Sequence, residues 1–372
     1  MSIKISIGSA VYNVKEPYLR QHIESIIRQL TDETELLLID DCSTDNSGSV
    51  CREYAAANDR VRYINMGENG GLSRVRNRTI NEAAGEWIFF ADGDDILSDN
   101  FIRTALSFCD PKYDVIIHNR QIFHQNKPGS EAECRVTALT ELPETAGRHI
   151  SISCLCMRPL DGDRYGMDRE AYYHAAWGAL YRRGFLLDNK LQFPAGQKKA
   201  QDSVFNTYAY FCAKSIAYLP YEMYYYRKDM QGITQRYNPD FTAVSMSLIG
   251  HHNDCIERLY PGDEDVSYKY KNYRLIALAV DAMLLNFFHM NNPKPAAARK
   301  SEFLDFVNTE PFKSAIDDYD PDNAWWGWVL PISLAKKKRF ATLDFLIRHR
   351  RIYEPVGKAY GVLRKARKAI HK

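Results

Sequence analysis

Trp87-Ile88-Phe89-Phe90-Ala91-Asp92-Gly93-Asp94-Asp95 is an apolar run that passes without interruption into a cluster of acids. An unbroken apolar run this short reads as a strand buried on both faces, and such a strand needs helices above and below it. Working outward, similar runs recur as IKISIG (3–8), ELLLID (35–40), VRYIN (61–65) and YDVIIH (113–118). Between them the period changes to that of a helix. Residues 17–30 set Leu19, Ile23, Ile26, Ile27 and Leu30 on one face, and further helices are predicted over 46–57, 73–84 and 99–108. This alternation predicts an α/β fold with a mostly parallel sheet flanked by helices. Ligands of such sheets collect beyond the carboxyl ends of the strands.

Those ends are polar in an orderly way. The first strand runs into Tyr12 and Asn13, the second into Asp40-Asp41-Cys42-Ser43, and the strand at 87–91 into Asp92-Gly93-Asp94-Asp95. If extended geometry continues past Ala91, period two sets Asp92 and Asp94 on one side and Asp95 on the other. Two carboxylates with no base beside them make a hard-oxygen site for Mg²⁺ or Mn²⁺, which take few protein ligands plus phosphate oxygens. The plainer reading is a solvated turn ahead of a helix. Ser43 or Asp45 suits a helix cap, but a cap does not explain two adjacent acids at the end of a buried strand. A carboxylate there is able to accept the imide N–H of a uracil, and Tyr12 to stack on a base, although a core tyrosine would read the same way. Asn69-Gly70-Gly71-Leu72-Ser73-Arg74-Val75-Arg76-Asn77 opens a helix. Its glycines relax the backbone, its first amides attract anions, and its arginines reach phosphate or hold the acids.

The chain has 372 residues, 45% hydrophobic and 26% charged, which excludes disorder and exceeds one ordinary domain. Residues 120–169 read as an irregular insertion, order returns over 172–187, 202–211 and 215–227, residues from 241 onward look helical, and 290–300 reads as a linker or turn. The eight cysteines are scattered without CxxC spacing and read as reduced thiols with no metal role. The first fifteen residues lack the apolar core of a secretory signal, and the apolar stretch at 275–290 is broken by Asp281 and Asn286, so a cytoplasmic body is expected.

Net charge is only +2, which argues against a nucleic-acid partner, but it conceals an asymmetry. Residues 331–372, opening at Pro331 and closing at Lys372, carry +11 and leave −9 to the rest. With Trp325, Trp326 and Trp328 just before Lys336, this tail suits an anionic membrane surface. A helical domain with a tryptophan core and a solvated basic face is the alternative.

IGSAVYN (7–13), LLLIDDCSTD (36–45), NGGLSRVRN (69–77), AAGEWIFFADGDD (83–95), WGALYRRGF (177–185) and QDSVF (201–205) together resemble the family 2 glycosyltransferases, which share the GT-A fold. The resemblance is dense over about 3–120 and sparser over 172–236. It implies a GT-A domain over 1–236, with a nucleotide-sugar half at about 1–120 and an acceptor half at about 121–236, followed by a mainly helical region over 237–372. By the same resemblance Ala10 and Tyr12 contact the base, Asp41 the uracil, and Asn69 and Arg76 the nucleotide end. Asp92 lies near the ribose and diphosphate, and Asp94 is the ligand of Mn²⁺ or Mg²⁺. Asp202 is the catalytic base, a helix cap ahead of Val204 and Phe205 being the plainer reading, and Trp177 lies on the acceptor side, although a core tryptophan would read the same way.

Three positions depart from the family pattern: Gln201 replaces the acid before Asp202, Val75 a small residue, and Thr79 a glycine. The implied activity is inverting transfer of a hexosyl or N-acetylhexosaminyl group from a nucleotide sugar, with UDP expected, to a hydroxyl of a glycan or lipid-linked acceptor. Bacterial-type surface polysaccharide or glycolipid synthesis is the expected setting, at the inner face of the plasma membrane. A non-catalytic GT-A assembly subunit is the main alternative. A sugar nucleotidyltransferase fits less well, because SAVYNVKEPY (9–18) lacks the glycine-rich loop those enzymes carry after the first strand.

Overall fold

The computed structural model describes residues 2–124, 138–158, 165–168, 170–228, 236–321, 326–349 and 359. They fall into two compact units, Met1–Met230 and Gln231–Lys372, where the sequence reading sets the change at 236/237.

In the first unit β1 (Ile5–Val11), α1 (Glu16–Ile27), β2 (Thr34–Asp40), α2 (Ser47–Ala57), β3 (Val61–Asn65), α3 (Leu72–Glu82) and β4 (Trp87–Asp92) alternate as their periodicities predict. There follow β5 (Ile96–Leu97), α4 (Phe101–Phe108), β6 (Val115–Phe123), β7 (Thr140–Glu141), α5 (Ala146–Cys156), β8 (Ala179–Arg182), α6 (Arg183–Asp188), α7 (Gln201–Cys212) and β9 (Ile216–Arg227). The strands form one sheet in the order β3-β2-β1-β4-β8-β6-β9-β5, with β7 on β9.

From β3 to β4 every pairing is parallel. Beyond that the sheet is mixed: β8 runs antiparallel to β4 and β6, β6 and β9 are parallel, and β5 and β7 are antiparallel to β9. The parallel reading therefore holds for the first half. A crossover helix forces each of those strands into line, whereas β8 enters from a 3₁₀ turn at Ala176–Gly178 and is free of that constraint.

Side-chain alternation divides the core between the two faces of the sheet. Leu36, Leu38, Trp87 and Phe89 pack with Ile23 of α1, Val50 of α2 and Phe101 of α4. Leu37, Ile39, Ile88 and Phe90 pack with Val75 of α3, Cys154 of α5 and Phe205 of α7. Gly8 of β1 lets α3 approach this second face: a Cβ built there would lie 2.1 Å from Cγ2 of Thr79. Thr79, one of the departures from the family pattern, thus fills the space over a glycine on the opposing strand.

Helix α5 corrects the expectation of an irregular insertion. It lies within 120–169, and most of its residues are buried, so it shows no amphipathic face to read.

The second unit is helical: α8 (Phe241–Leu259), α9 (Glu264–Lys269), α10 (Ile276–Ala282), α11 (Ala296–Asn308), α12 (Phe312–Asp317), α13 (Trp326–Lys336) and α14 (Phe340–Arg348). Two π-helical segments, Tyr270–Leu275 and Met283–Phe287, flank α10. The turn read over 290–300 ends at Pro295, the N-cap residue of α11, so 296–300 is helical. Ile276, Phe288, Phe303 and Ile332 are fully buried, and the Arg299 guanidinium binds both oxygens of Asp344, tying α11 to α14. Lys336 at the end of α13 and Lys337, Lys338 and Arg339 before α14 are exposed. Trp325, the Trp326 side chain, and residues 350–358 and 360–372 of the basic tail lie outside the described residues. No described helix is long and apolar enough to cross a membrane.

Candidate active site

Because β1, β2 and β4 are parallel and in register, with Ala10 opposite both Ile39 and Asp92, their carboxyl ends open on one edge. The Gly93 N–H donates to the Ala10 carbonyl at 3.0 Å and the Asp41 N–H to that of Val11 at 2.9 Å, so the three terminal loops begin side by side.

The acidic loop does not stay extended. The Asp95 N–H donates back to the Asp92 carbonyl at 3.1 Å, and the turn keeps Asp94 exposed and Asp92 partly exposed while Asp95 is buried. The outcome matches the period-two expectation although the cause is a turn. The Asp95 carboxylate accepts the Tyr224 hydroxyl at 2.6 Å and the Arg227 N–H at 2.6 Å. Burial, with Asp94 and Asp92 nearby, holds its pKa well above the usual carboxylate range.

Further contacts clamp the same loop. Tyr224 also accepts the Asp92 N–H at 3.1 Å, and Arg227 reaches the Asp94 carbonyl at 2.7 Å and Gln21 at 2.8 Å. His22, fully buried on α1, lies 2.9 Å from the Asp95 carbonyl through Nδ1 and 2.8 Å from the Ser9 hydroxyl through Nε2. A carbonyl only accepts, so Nδ1 carries the proton and Nε2 accepts from Ser9. Burial lowers the His22 pKa to about 4.

Arg76, Asp92 and Asp202 come together from α3, β4 and α7. The Arg76 guanidinium, 3% exposed, donates to Asp92 at 3.0 Å and to Asp202, and lies 5.3 Å from the Phe193 ring. Asp202 is the second residue of α7, whose N-cap is Ala200, so it does not cap the helix. Its other oxygen accepts the Ala176 N–H at 3.1 Å, and burial raises its pKa even against the pull of Arg76. The result is an oriented carboxylate, 18% exposed, whose basicity is kept up.

At the end where the sequence leads one to expect the nucleotide, Asp41 accepts the Gly70 and Gly71 amides, one on each oxygen at 2.8 Å, and Asn69 donates to its carbonyl at 3.1 Å. Gly71 has φ +81°, a conformation that favours glycine. Asp40, adjacent in sequence, is structural: it accepts the Ser43 amide and the Tyr63 hydroxyl, both at 2.9 Å. Tyr12 is 49% exposed, with Ala10 beside it on β1. Asn13, in the left-handed region, accepts the Thr44 amide at 2.8 Å and fixes one loop to the other.

Trp177 is different. It is 5% exposed and stacks on Tyr172 (5.3 Å), Tyr224 (4.9 Å) and Tyr226 (5.4 Å), so its packing is that of a core residue and leaves no open face for a sugar ring. Its contact with this site runs through Tyr224 and through its neighbour Ala176.

Sequence reasoning missed His22, Tyr224 and Arg227 as supports of the acidic loop. An isolated histidine on a helix and a tyrosine-rich strand carry no signal for it. Asn13 was visible only as a polar strand end.

An α/β sheet with acidic and glycine-rich loops grouped at parallel strand ends, backed by a partner half of mixed strands, is the layout of the GT-A glycosyltransferases. The Staphylococcus aureus protein TarS, as its residue 1–349 structure with UDP, has this fold: its TM-score is 0.59 at 18% identity, covering 93% of this chain and 90% of that one. Residues 6–140 match the family described as Glycosyl transferase family 2. The Bacillus subtilis putative glycosyltransferase EpsH is 30% identical over 246 residues, 66% of either protein, and the Streptococcus pneumoniae glycosyltransferase GlyA is 30% identical over 226 residues, 60% of this chain and 30% of GlyA. The chain spans just under two thirds of EpsH and under a third of GlyA. It belongs to glycosyltransferase family 2.

Proposed function

We propose that this protein catalyses inverting transfer of a sugar from a UDP-sugar to a hydroxyl of a glycan or lipid-linked acceptor in bacterial-type surface polysaccharide or glycolipid synthesis. The observation that carries it is the Arg76 bridge between Asp92 and Asp202, which ties the loop of the expected donor site to a carboxylate poised as a base. The relatives support the setting: TarS is named a poly(ribitol-phosphate) beta-N-acetylglucosaminyltransferase and has been solved with UDP and with UDP-GlcNAc.

In this reading the exposed ring of Tyr12 stacks on the uracil beside Ala10. Asp41, fixed by the Gly70 and Gly71 amides, keeps lone pairs for the imide N–H. Asn69 and Arg76 frame the nucleotide end, and Asp92 faces the ribose and diphosphate. Mn²⁺ or Mg²⁺ fits the donor set at Asp94, because such ions take one or two carboxylates plus phosphate oxygens, Asp94 is exposed, and one Asp92 oxygen is left by Arg76. When bound, the ion supplies Lewis-acid stabilisation of the departing diphosphate. Asp202 takes the proton of the acceptor hydroxyl as its oxygen attacks the anomeric carbon opposite the leaving group, and a single displacement inverts that centre. Both acidic positions that a non-catalytic subunit would be free to lose, Asp94 and Asp202, are present.

Asp202→Asn is expected to lower transfer by at least a hundredfold while UDP affinity, read by calorimetry, stays within about twofold, in keeping with the usual weight of a general base. Transfer at the wild-type rate refutes the assignment.

A further inference from the structure

Arg120 of β6 is a partly buried cation whose side chain makes no hydrogen bond or ion pair with any described residue. Its Nε is buried without an acceptor. Two other arginines of this unit are paired with carboxylates: Arg76 with Asp92 and Asp202, and Arg182 with Asp114 at 2.5 Å. What surrounds Arg120 is aromatic. Its guanidinium lies 4.0 Å from the ring centre of Tyr172, 5.6 Å from that of Trp177 and 5.7 Å from that of Tyr226. Glu170 and Asp95 act on it only through space, and burial lowers its pKa.

Aromatic faces satisfy a guanidinium from above and below, but they do not accept its in-plane N–H groups. Those donors form a planar fork suited to an oxyanion. The strand that carries the fork is irregular at this point. Pairing between β6 and β9 shifts register between His118 and Asn119 and again between Asn119 and Arg120, the kind of irregularity that re-aims side chains beside active sites.

Its position indicates which substrate it meets. Tyr12 and Asp41, at the nucleotide end, follow β1 and β2, whereas β6 lies on the other side of β4, beyond β8. Trp177 of the cage adjoins Ala176, whose amide holds Asp202, and stacks on Tyr224, which holds the acidic loop. Arg120 therefore shares its aromatic neighbours with the groups that hold the base and the acidic loop, and its strand lies across β4 from those that carry the nucleotide end.

We infer that Arg120 and its cage of Tyr172, Trp177 and Tyr226 form an anion subsite that binds a phosphate ester carried by the acceptor. The inference rests on the transfer reading above and adds to its glycan or lipid-linked acceptor a phosphate ester for the fork to hold. The fork orients that acceptor while its hydroxyl reaches Asp202.

Calorimetric titration with saturating UDP, which fills the nucleotide end, tests it. The probes are glycerol 3-phosphate for a monoester, glycerophosphoglycerol for the diester of a polymer, and neutral glycerol as control. The wild type is expected to bind one or both phosphate probes and not glycerol, which of the two it prefers distinguishing the source. Arg120→Gln is expected to weaken that binding at least tenfold, and Arg120→Lys to keep part of it, with UDP affinity alike in all three proteins as the check on folding. Equal phosphate affinity in wild type and Arg120→Gln overturns the subsite, as does a wild type that binds neither phosphate probe. A wild type that fails to bind UDP sinks the transfer reading instead, and the phosphate titrations still report on Arg120.

Discussion

His22 shows how much of this site depends on a residue that touches no substrate. It must stay neutral to accept from Ser9 while donating to the Asp95 carbonyl, and its pKa of about 4 lies below the ordinary 6.5. A histidine with a lowered folded pKa contributes stability that is complete above about 6.5. That stability is lost as pH falls toward 4, because the unfolded chain takes up the proton first. Between pH 7 and pH 5 this amounts to roughly 2 kcal/mol. In His22→Asn, whose amide is able to keep the bond to Asp95, the stability lost between those pH values is expected to shrink by about that amount in urea unfolding. The raised carboxyls of Asp95 and Asp202 pull the other way, but they are present in both proteins and cancel in the comparison. An unchanged difference between pH 7 and pH 5 rules out the neutral-histidine account.

Among elements, the meeting of β1 and α3 is the most sensitive to volume. Gly8→Ala would set a Cβ against Thr79, and overpacking of a tight core costs roughly 1–3 kcal/mol. Adding Thr79→Gly removes the obstructing atoms, so in a double-mutant cycle by chemical denaturation the pair is expected to be less destabilised than the sum of the single variants. Simple additivity refutes the contact as the cause.

The same scale shows what the residues made legible. Trp87–Asp92, Thr34–Asp40 and Ile5–Val11 announce themselves because buried parallel strands are apolar on both faces, and their polar ends could be found from sequence for the same reason. Helix α5 escaped because burial all round erases amphipathic period, and β8 because strand direction is set by the connection, which residue pattern does not encode. Trp177 reads from sequence equally as an acceptor-side ring and as core, and it lies in a stack of tyrosines, since an aromatic residue reads alike in a core and at a binding face.

At the scale of the whole molecule the sequence's charge asymmetry acquires a place. Lys336 at the end of α13 and Lys337, Lys338 and Arg339 before α14 are exposed, with Phe345 54% exposed on α14. Basic residues at an anionic leaflet contribute about 1 kcal/mol each. Truncation at Pro331 is a poor test, because it would remove the buried Ile332 and Ala335. Charge reversal is cleaner: Lys337→Glu combined with Arg339→Glu is expected to reduce co-sedimentation with phosphatidylserine vesicles at least tenfold while leaving thermal unfolding near that of the wild type. Equal sedimentation of the two proteins removes this turn from membrane docking.

The clamp on the acidic loop has a consequence for how the protein comes into being on the ribosome. Asp94 and Asp95 are held by Tyr224 and Arg227, about 130 residues later in the chain. Strands and helices up to β4 are able to fold as they emerge, because β1, β2, β3 and β4 pair among themselves. The Asp95 carboxylate then waits for its Tyr224 and Arg227 donors until β9 has been synthesised. Residues 6–140 carry the family signature but lack the residues that secure it, so the signature and the smallest chain able to express it are different lengths.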